Sequence, residues 1–245
     1  MRVEAANETC QGITIRVASP SRRYMDEFIK LTCAPDLLAL KLFPDSKEIT
    51  ETMAAYNAVR KFFGSKHFSN PNIVMMDVGS GKCPRTAAFF AFMTKWRCIA
   101  IDPQLRNDRK RYDNIDRLSM FRGKVQDVPK IKADVVVVCA VHAHVGLDKI
   151  VERIEARRIF MVAIPCCQPL QLERAKPNRE YQDHSCWSPH RTVKVYDYKI
   201  DPEERRKNRE FWVKHWERKI ALKREGTNDE EPLFAVHRID TSGPR

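Results

Sequence analysis

The sequence lacks several features that assign a chain to a familiar class at once. No segment approaches the roughly 18 consecutive apolar residues that a membrane-spanning helix needs, and the start, MRVEAANETC, lacks the apolar core of a secretory signal. The eight cysteines include no Cys-x-x-Cys pair, which argues against a zinc ribbon or a thioredoxin-type redox motif. We therefore expect no membrane partner, and mostly reduced thiols in the cytoplasm or another reducing compartment of the cell.

What the chain has in excess is positive charge. Lysine and arginine total 44 against 32 aspartate and glutamate, for a formal net charge of +12. Seven basic and three acidic side chains lie between Arg106 and Lys124, and nine basic and four acidic ones lie in residues 202–224. A balance of this kind favours an anionic partner, and we predict nucleic acid, RNA in preference to DNA.

The middle of the chain alternates strand-like and helix-like segments. Val135–Val138 is a continuous β-branched run, as expected of a strand covered on both faces. Alternation predicts a mostly parallel α/β sheet, Rossmann-like and seven-stranded, with helices on both faces. The predicted strands lie at residues 73–78, 97–101, 119–125, 135–141, 159–164, 192–200 and 233–239. The predicted helices lie at residues 24–31, 37–42, 46–64, 84–94, 147–155 and 202–224.

These predictions suggest a domain organisation. Residues 1–45 are a helical N-terminal extension, 46–240 form the main domain, and 241–245 (TSGPR) are a disordered tail. The helix at 202–224 opens on Asp201-Pro202, an N-cap followed by a first-turn proline. It would be an insertion before the last strand.

Glycine is scarce, with 8 in 245 residues, yet two lie close together in the segment MMDVGSGKCPRTAA (75–88). Gly79 and Gly81 stand between an apolar strand and a helix, where glycine lets the backbone approach a ligand closely. Asp102 ends the next strand and can accept hydrogen bonds from both hydroxyls of a ribose. Pro84 occupies the third glycine position of a dinucleotide-binding GxGxxG, which argues against NAD. A turn that binds nothing is the alternative.

Asp77, Gly79 and Gly81 resemble the acidic-GxG motif of class I S-adenosylmethionine-dependent methyltransferases. The resemblance implies that S-adenosylmethionine is the cofactor, held by Asp77, Gly79, Gly81, Lys82 and Asp102. Gln126 and Asp127 follow the third strand, where this family contacts the adenine; Asp127 could instead only begin a turn. The family's third glycine is Cys83 here, which predicts a tighter pocket and leaves an inactive relative possible.

Two later motifs narrow the resemblance. RNA methyltransferase-like members carry Leu-His-Ala-Cys or Leu-His-Thr-Cys after strand four and Pro-Cys-Cys after strand five. This chain has Val141-His142-Ala143-His144 and Ile164-Pro165-Cys166-Cys167-Gln168, so the resemblance covers roughly residues 45–170.

These motifs supply the candidate catalytic groups, His142, His144 and Cys166. Either imidazole can accept the proton released by methyl transfer, and His144 is the preferred one. Cys166 could instead attack a pyrimidine as a thiolate. Structural histidines and packing cysteines are the alternatives.

The acceptor side is predicted to include Pro165, Cys167, Gln168 and Arg191. His184, Cys186 and His190, with Cys166 or Cys167, could hold zinc, but their spacing is not a standard zinc pattern, and we predict no metal.

The sequence therefore predicts a methyltransferase that modifies nucleic acid. A methyltransferase for a small molecule or a protein, and an inactive nucleic-acid-binding relative, are the alternatives.

Overall fold

A seven-stranded sheet organises the computed structural model, which describes residues 8–10, 13–15, 21–106, 108–167, 170–172 and 175–199. Its strands are β1 (Ile73–Val78), β2 (Arg97–Ile101), β3 (Leu118–Phe121), β4 (Val135–Val141), β5 (Arg158–Ile164), β6 (Arg179–Gln182) and β7 (Thr192–Lys199). They lie in the order β6-β7-β5-β4-β1-β2-β3. Strands β1 to β5 are parallel, whereas β7 runs antiparallel to both β5 and β6.

Five helices accompany the sheet within the described residues. They are α1 (Arg23–Ile29), α2 (Ala34–Ala39), α3 (Ser46–Ala58), α4 (Arg85–Met93) and α5 (Leu147–Val151). Short pairs of strands lie outside the main sheet, Glu8–Cys10 with Ile13–Ile15 and Ile131–Lys132 with Ile154–Glu155. No described helix is long and apolar enough to cross a membrane.

Strand alternation divides the core into two layers. Met75 of β1 and Val137 of β4 belong to the cluster that packs against α1 to α4, while Met76 and Val138 belong to the cluster that includes Leu147 of α5. Because both sets of side chains are buried, helices cover both faces of the sheet, as the β-branched run of β4 predicts. The predicted Rossmann-like fold is confirmed.

Helix α3 begins where the sequence predicts. Asp45 is the N-cap, and its carboxylate accepts a hydrogen bond from the Glu48 N–H at 3.0 Å. The helix continues as a π-helical turn, Val59–Gly64, which ends at Gly64 with φ +104°. Burial of Ile49, Met53 and Tyr56 places α3 against the sheet, which brings its polar residues to the edge where β1 and β4 end.

Several elements differ from the predictions, and helix α2 lies at Ala34–Ala39 rather than at residues 37–42. Strand β3 ends at Phe121, and Val125–Asp127 forms a 3₁₀ turn. Helix α5 ends at Val151 rather than at residue 155. Strand β6 lies between the strands predicted at 159–164 and 192–200, where no strand was predicted, because an edge strand with mostly exposed polar side chains shows no apolar alternation.

Of the predicted terminal segments, the structure describes the N-terminal helices but not the C-terminal helix and strand. Tyr24 and Phe28 of α1 are buried in the same cluster as α3 and α4, so residues 23–39 pack on the core of the main sheet. The helix predicted at 202–224 and the strand at 233–239 lie outside the described residues. The sheet already has seven strands within residues 73–199, and the boundaries at 45 and 240 stay predictions.

Candidate active site

The turn after β1 requires two glycines for different reasons. Gly79 and Gly81 have φ values of +79° and +70°, in the left-handed region that favours glycine. A Cβ on Gly79 would lie 2.7 Å from the Cβ of Ala143, in the segment after β4. A Cβ on Gly81 would meet only the Arg85 guanidinium, at 3.7 Å. Gly79 therefore lets two loops approach closely, whereas Gly81 is required for its backbone conformation.

Asp77 lies beneath this turn with its side chain buried. Its Oδ2 accepts a hydrogen bond from the Ala87 N–H at 3.0 Å, in the first turn of α4. Burial raises the pKa of Asp77 to about 7, although hydrogen bonds from backbone N–H groups and the charge of Arg85 act in the opposite direction. The carboxyl group thus fixes the helix start, which is a supporting position beneath the cofactor segment.

Asp102, at the end of β2, connects the turn to the neighbouring loop. Its Oδ2 accepts from the Gly81 N–H at 2.9 Å, and its Oδ1 accepts from the Gln104 N–H at 2.6 Å. A carboxylate has about four acceptor positions, so these two bonds leave capacity for hydroxyl groups of a ligand.

A cavity of about 690 Å³ opens at the carboxyl ends of β1, β2 and β4. Ligands of open α/β sheets bind at this edge. Of the predicted cofactor residues, Asp77, Gly79, Gly81, Asp102 and Gln126 line the cavity.

Three residues of the cofactor motifs lie elsewhere. Lys82 does not line the cavity, and Asp127 follows Gln126 away from it. Cys83 packs beside the core cluster and contacts the Tyr112 hydroxyl. Because Cys83 is outside the cavity lining, the expectation that it tightens the pocket is wrong.

His142 occupies the cavity wall in an unusual conformation. Its φ is +55°, and among the described non-glycine residues only Lys41 shares a positive φ. Such backbone conformations cost energy and occur preferentially at functional sites. The His142 N–H donates to the carbonyl of Ile164 at 2.8 Å, which holds the residue between β4 and β5.

Glu51 of α3 is the partner that sequence reasoning missed. Its Oε1 lies 2.8 Å from Nε2 of His142 and 3.2 Å from Nζ of Lys47, and its side chain is 6% exposed. Burial alone would raise the pKa of Glu51, but the hydrogen bond and the charge of His142, together with Lys47, outweigh burial and lower it. Glu51 lies 91 positions from His142, and the helical pattern showed it only as a polar residue between apolar ones.

An ionised Glu51 determines which nitrogen of His142 carries a proton. A carboxylate only accepts hydrogen bonds, so Nε2 must donate and a neutral ring keeps its lone pair on Nδ1. Nδ1 is buried and has no hydrogen-bond partner among the described residues. The pair therefore leaves one imidazole nitrogen of a cavity-lining residue without a hydrogen-bond partner among the described residues.

His144 has different neighbours. Its Nε2 lies 3.1 Å from Sγ of Cys166 and 3.4 Å from Sγ of Cys167, and the two sulfur atoms are 3.7 Å apart. A hydrogen bond with Cys166 raises the pKa of the Cys167 thiol. His144 lines the cavity, whereas Cys166 and Cys167 lie beyond it. The motif after β4 and the motif after β5 therefore lie side by side, because these strands are parallel neighbours in the sheet.

The other predicted acceptor residues are more dispersed. Pro165 follows β5, and Arg191 precedes β7 and accepts the Asp183 N–H through its carbonyl. Gln168 lies outside the described residues. Cys186 is buried, and burial raises its pKa to about 11. Close-lying metal-type ligands among the described residues are His144, Cys166 and Cys167, so the structure does not bring the alternative set of His184, Cys186 and His190 together.

Solved structures are the known proteins to which the chain is similar. No protein-family model matches the chain, and no curated protein matches it. Among solved structures, a mutant of MtNAS in complex with S-adenosylmethionine is 12% identical over 73% of this chain and 71% of its own, with a TM-score of 0.48. An RNA methyltransferase from Salinibacter ruber in complex with S-adenosyl-L-homocysteine is 15% identical over 65% and 95%, with a TM-score of 0.41. Coclaurine N-methyltransferase bound to N-methylheliamine and SAH is 14% identical over 60% and 52%, with a TM-score of 0.34.

Proposed function

We propose that the chain is an S-adenosylmethionine-dependent methyltransferase that acts on RNA. One observation supports the cofactor more than any other. Asp102 hydrogen-bonds the Gly81 N–H at the mouth of a cavity of about 690 Å³, where the carboxyl ends of β1, β2 and β4 meet. The strand order, with β7 antiparallel beside β5, is the sheet that the acidic-GxG resemblance implies.

The residues present fit a nucleoside cofactor with a charged tail. Asp102 keeps acceptor positions for the ribose hydroxyls. Gln126 offers an amide donor and acceptor for the adenine, and Gly81 leaves room because the nearest group to a Cβ there is the Arg85 guanidinium, at 3.7 Å. Lys47 and Arg85, which form ion pairs with Glu51 and Glu48, also line the cavity and can in addition contact the carboxylate of the methionine part.

The bound cofactor would supply an electrophilic methyl group on sulfur. The protein must then align the acceptor atom and remove one proton. We assign the proton to the imidazole of His142, since the anionic Glu51 stabilises the imidazolium that forms. His144 contacts two thiols and is less suited to this role.

An RNA acceptor is supported by charge and by the motifs after β4 and β5. The net charge of +12 favours a polyanion. Lys124, which ends the basic stretch from Arg106, lines the cavity, so positive charge extends from the surface to the site. The resemblance to RNA methyltransferase-like proteins through His142 to His144 and Pro165 to Gln168 points the same way.

A methyl-transfer assay tests the proposal. Full-length protein is incubated with S-adenosylmethionine labelled in the methyl group and with total RNA, total protein or a metabolite extract. We expect label in RNA that ribonuclease releases, and its loss in His142→Ala. Label in protein or small molecules would overturn the RNA assignment. Cofactor binding with no transfer to any fraction would favour an inactive nucleic-acid-binding relative.

A further inference from the structure

The cluster of His144, Cys166 and Cys167 has a geometry that the proposed methyl transfer does not use. Its three ligand atoms lie 3.1, 3.4 and 3.7 Å from one another, and all come from segments at the carboxyl ends of β4 and β5. Hydrogen bonding explains the arrangement poorly. Nε2 has either one lone pair or one N–H, so it can serve one sulfur atom well but not two.

The three separations approach those between the ligands of a tetrahedral metal ion. Zinc binds thiolate at about 2.3 Å and imidazole at about 2.0–2.1 Å in tetrahedral sites. A tetrahedron with these bond lengths separates two sulfur ligands by about 3.8 Å and a nitrogen from a sulfur by about 3.6 Å. The separation between the sulfur atoms is 3.7 Å, and those from Nε2 to sulfur are 3.1 and 3.4 Å, so a few tenths of an ångström of movement would complete three corners.

We propose that His144, Cys166 and Cys167 bind a thiophilic divalent cation, Zn²⁺ foremost, as a three-ligand site with an open fourth position. The site is formed by the fold, since β4 and β5 are adjacent and parallel and their ends place an imidazole beside two consecutive thiols. It stands apart from the proposed function, because it needs neither S-adenosylmethionine nor RNA.

The open fourth position would let the bound cation take a further ligand. Zinc sites with three protein ligands keep a fourth position for water or substrate, whereas structural sites are closed by four protein ligands. Among the described residues only these three ligands converge. His144 also lines the cavity, so the cation would lie at its rim, where it can bind a soft or basic group of an incoming molecule.

Cobalt substitution tests the site directly. The full chain is stripped with a chelator, kept reduced with a phosphine and titrated with Co²⁺, and Zn²⁺ is then added. We expect saturation at about one Co²⁺ per chain, with the visible absorption bands of tetrahedral cobalt and a thiolate charge-transfer band. Added Zn²⁺ should displace the cobalt and abolish these bands. Iodoacetamide labelling followed by peptide mass spectrometry should show Cys166 and Cys167 protected by Zn²⁺.

Matched variants make the result specific. Cys167→Ser and His144→Ala change exposed side chains, so the fold should persist in circular dichroism, and each should weaken Co²⁺ binding at least roughly tenfold. Cys33→Ser and His184→Ala are the controls and should bind as the parent does. The proposal is overturned by an absence of saturable Co²⁺ binding, by binding that survives both test variants, or by loss in His184→Ala alone, which would indicate the rival ligand set.

Discussion

His142 is constrained from two directions at once. Its backbone N–H is held by the Ile164 carbonyl at 2.8 Å while φ stays at +55°, and its Nε2 is held by Glu51 at 2.8 Å. These two hydrogen bonds hold His142 in its strained conformation at the end of β4. The sequence identified His142 from its motif, but Glu51 could not be found that way, because only folding brings α3 beside the end of β4.

The substitution Glu51→Gln tests the pairing. Gln keeps an acceptor for Nε2 but removes the charge that stabilises imidazolium, so the methyl-transfer rate should fall by roughly 10- to 100-fold. The affinity of the variant for S-adenosylmethionine should stay within about twofold of that of the parent, since the Gln oxygen still accepts the hydrogen bond from Nε2. Rates are measured in single turnover across pH. The control Glu155→Gln alters a half-buried carboxylate near Lys130 and Lys132, and an equal loss there would contradict the assignment.

A methyl group at residue 79 should be costly. In Gly79→Ala the new Cβ would meet Ala143 at 2.7 Å, and φ +79° would be strained for alanine. We expect a loss of roughly 1–3 kcal/mol in the free energy of unfolding and weaker cofactor binding, read from denaturant unfolding and calorimetry. Gly146→Ala is the control, because nothing lies within 4 Å of a Cβ there. Equal stability of the two variants would refute the close-approach explanation.

At the scale of elements, the carboxyl ends of the strands create the site. Strands β1, β2 and β4 were predictable because they are mostly buried runs rich in β-branched and apolar residues. Strand β6 was not, since three of its four residues are exposed and its pairing with β7 is set by tertiary contact. The sequence therefore predicts the glycine turn and Asp102, while the walls contributed by α3 required the structure.

Asp77 couples the β1–α4 junction to pH. Its pKa is raised to about 7, which means that the folded state binds this proton more tightly than the unfolded state does. The resulting stabilisation is fully present below the ordinary pKa near 4 and is lost as pH rises through about 7. Asp77→Asn keeps the acceptor for Ala87 and has no charge to lose. The free energy of unfolding of the parent, relative to Asp77→Asn, should therefore fall between about pH 4 and pH 8, by at most about 4 kcal/mol.

Urea unfolding at a series of pH values measures this difference. The matched control is Asp45→Asn, which changes an exposed cap of α3. A parent that becomes more stable relative to Asp77→Asn as pH rises would show that the sign is wrong.

At the scale of the whole molecule, positive charge reaches the proposed site. The net charge is +12, and the basic stretch that begins at Arg106 ends at Lys124, which lines the cavity. The remaining basic stretch, residues 202–224, lies outside the described residues, so its part in RNA binding rests on the sequence. The acceptor could not be read from the fold, because one sheet serves many methyl acceptors.

Neutralising residues of that remaining stretch tests the RNA assignment. In the full chain, Arg205→Gln, Arg206→Gln and Lys207→Gln together should weaken RNA binding and reduce the salt slope by about 0.7 for each phosphate that the chain no longer neutralises. Arg22→Gln, Lys30→Gln and Lys66→Gln change three exposed cations elsewhere and should have a smaller effect. Fluorescence anisotropy over a range of salt concentrations gives both quantities, and equal slopes in the two triple variants would refute this role of the stretch.

Calorimetric titration of the purified chain with S-adenosylmethionine tests the central claim most directly. We predict saturable binding at about one ligand per chain, because one cavity contains the glycine turn. In Asp102→Ala, binding should weaken at least roughly tenfold, the loss expected for a hydrogen-bonded charged group, while Asp113→Ala, an exposed acid outside the cavity, should bind as the parent does. No measurable heat of binding, or equal affinity in Asp102→Ala and the parent, would contradict the assignment of this cavity to S-adenosylmethionine.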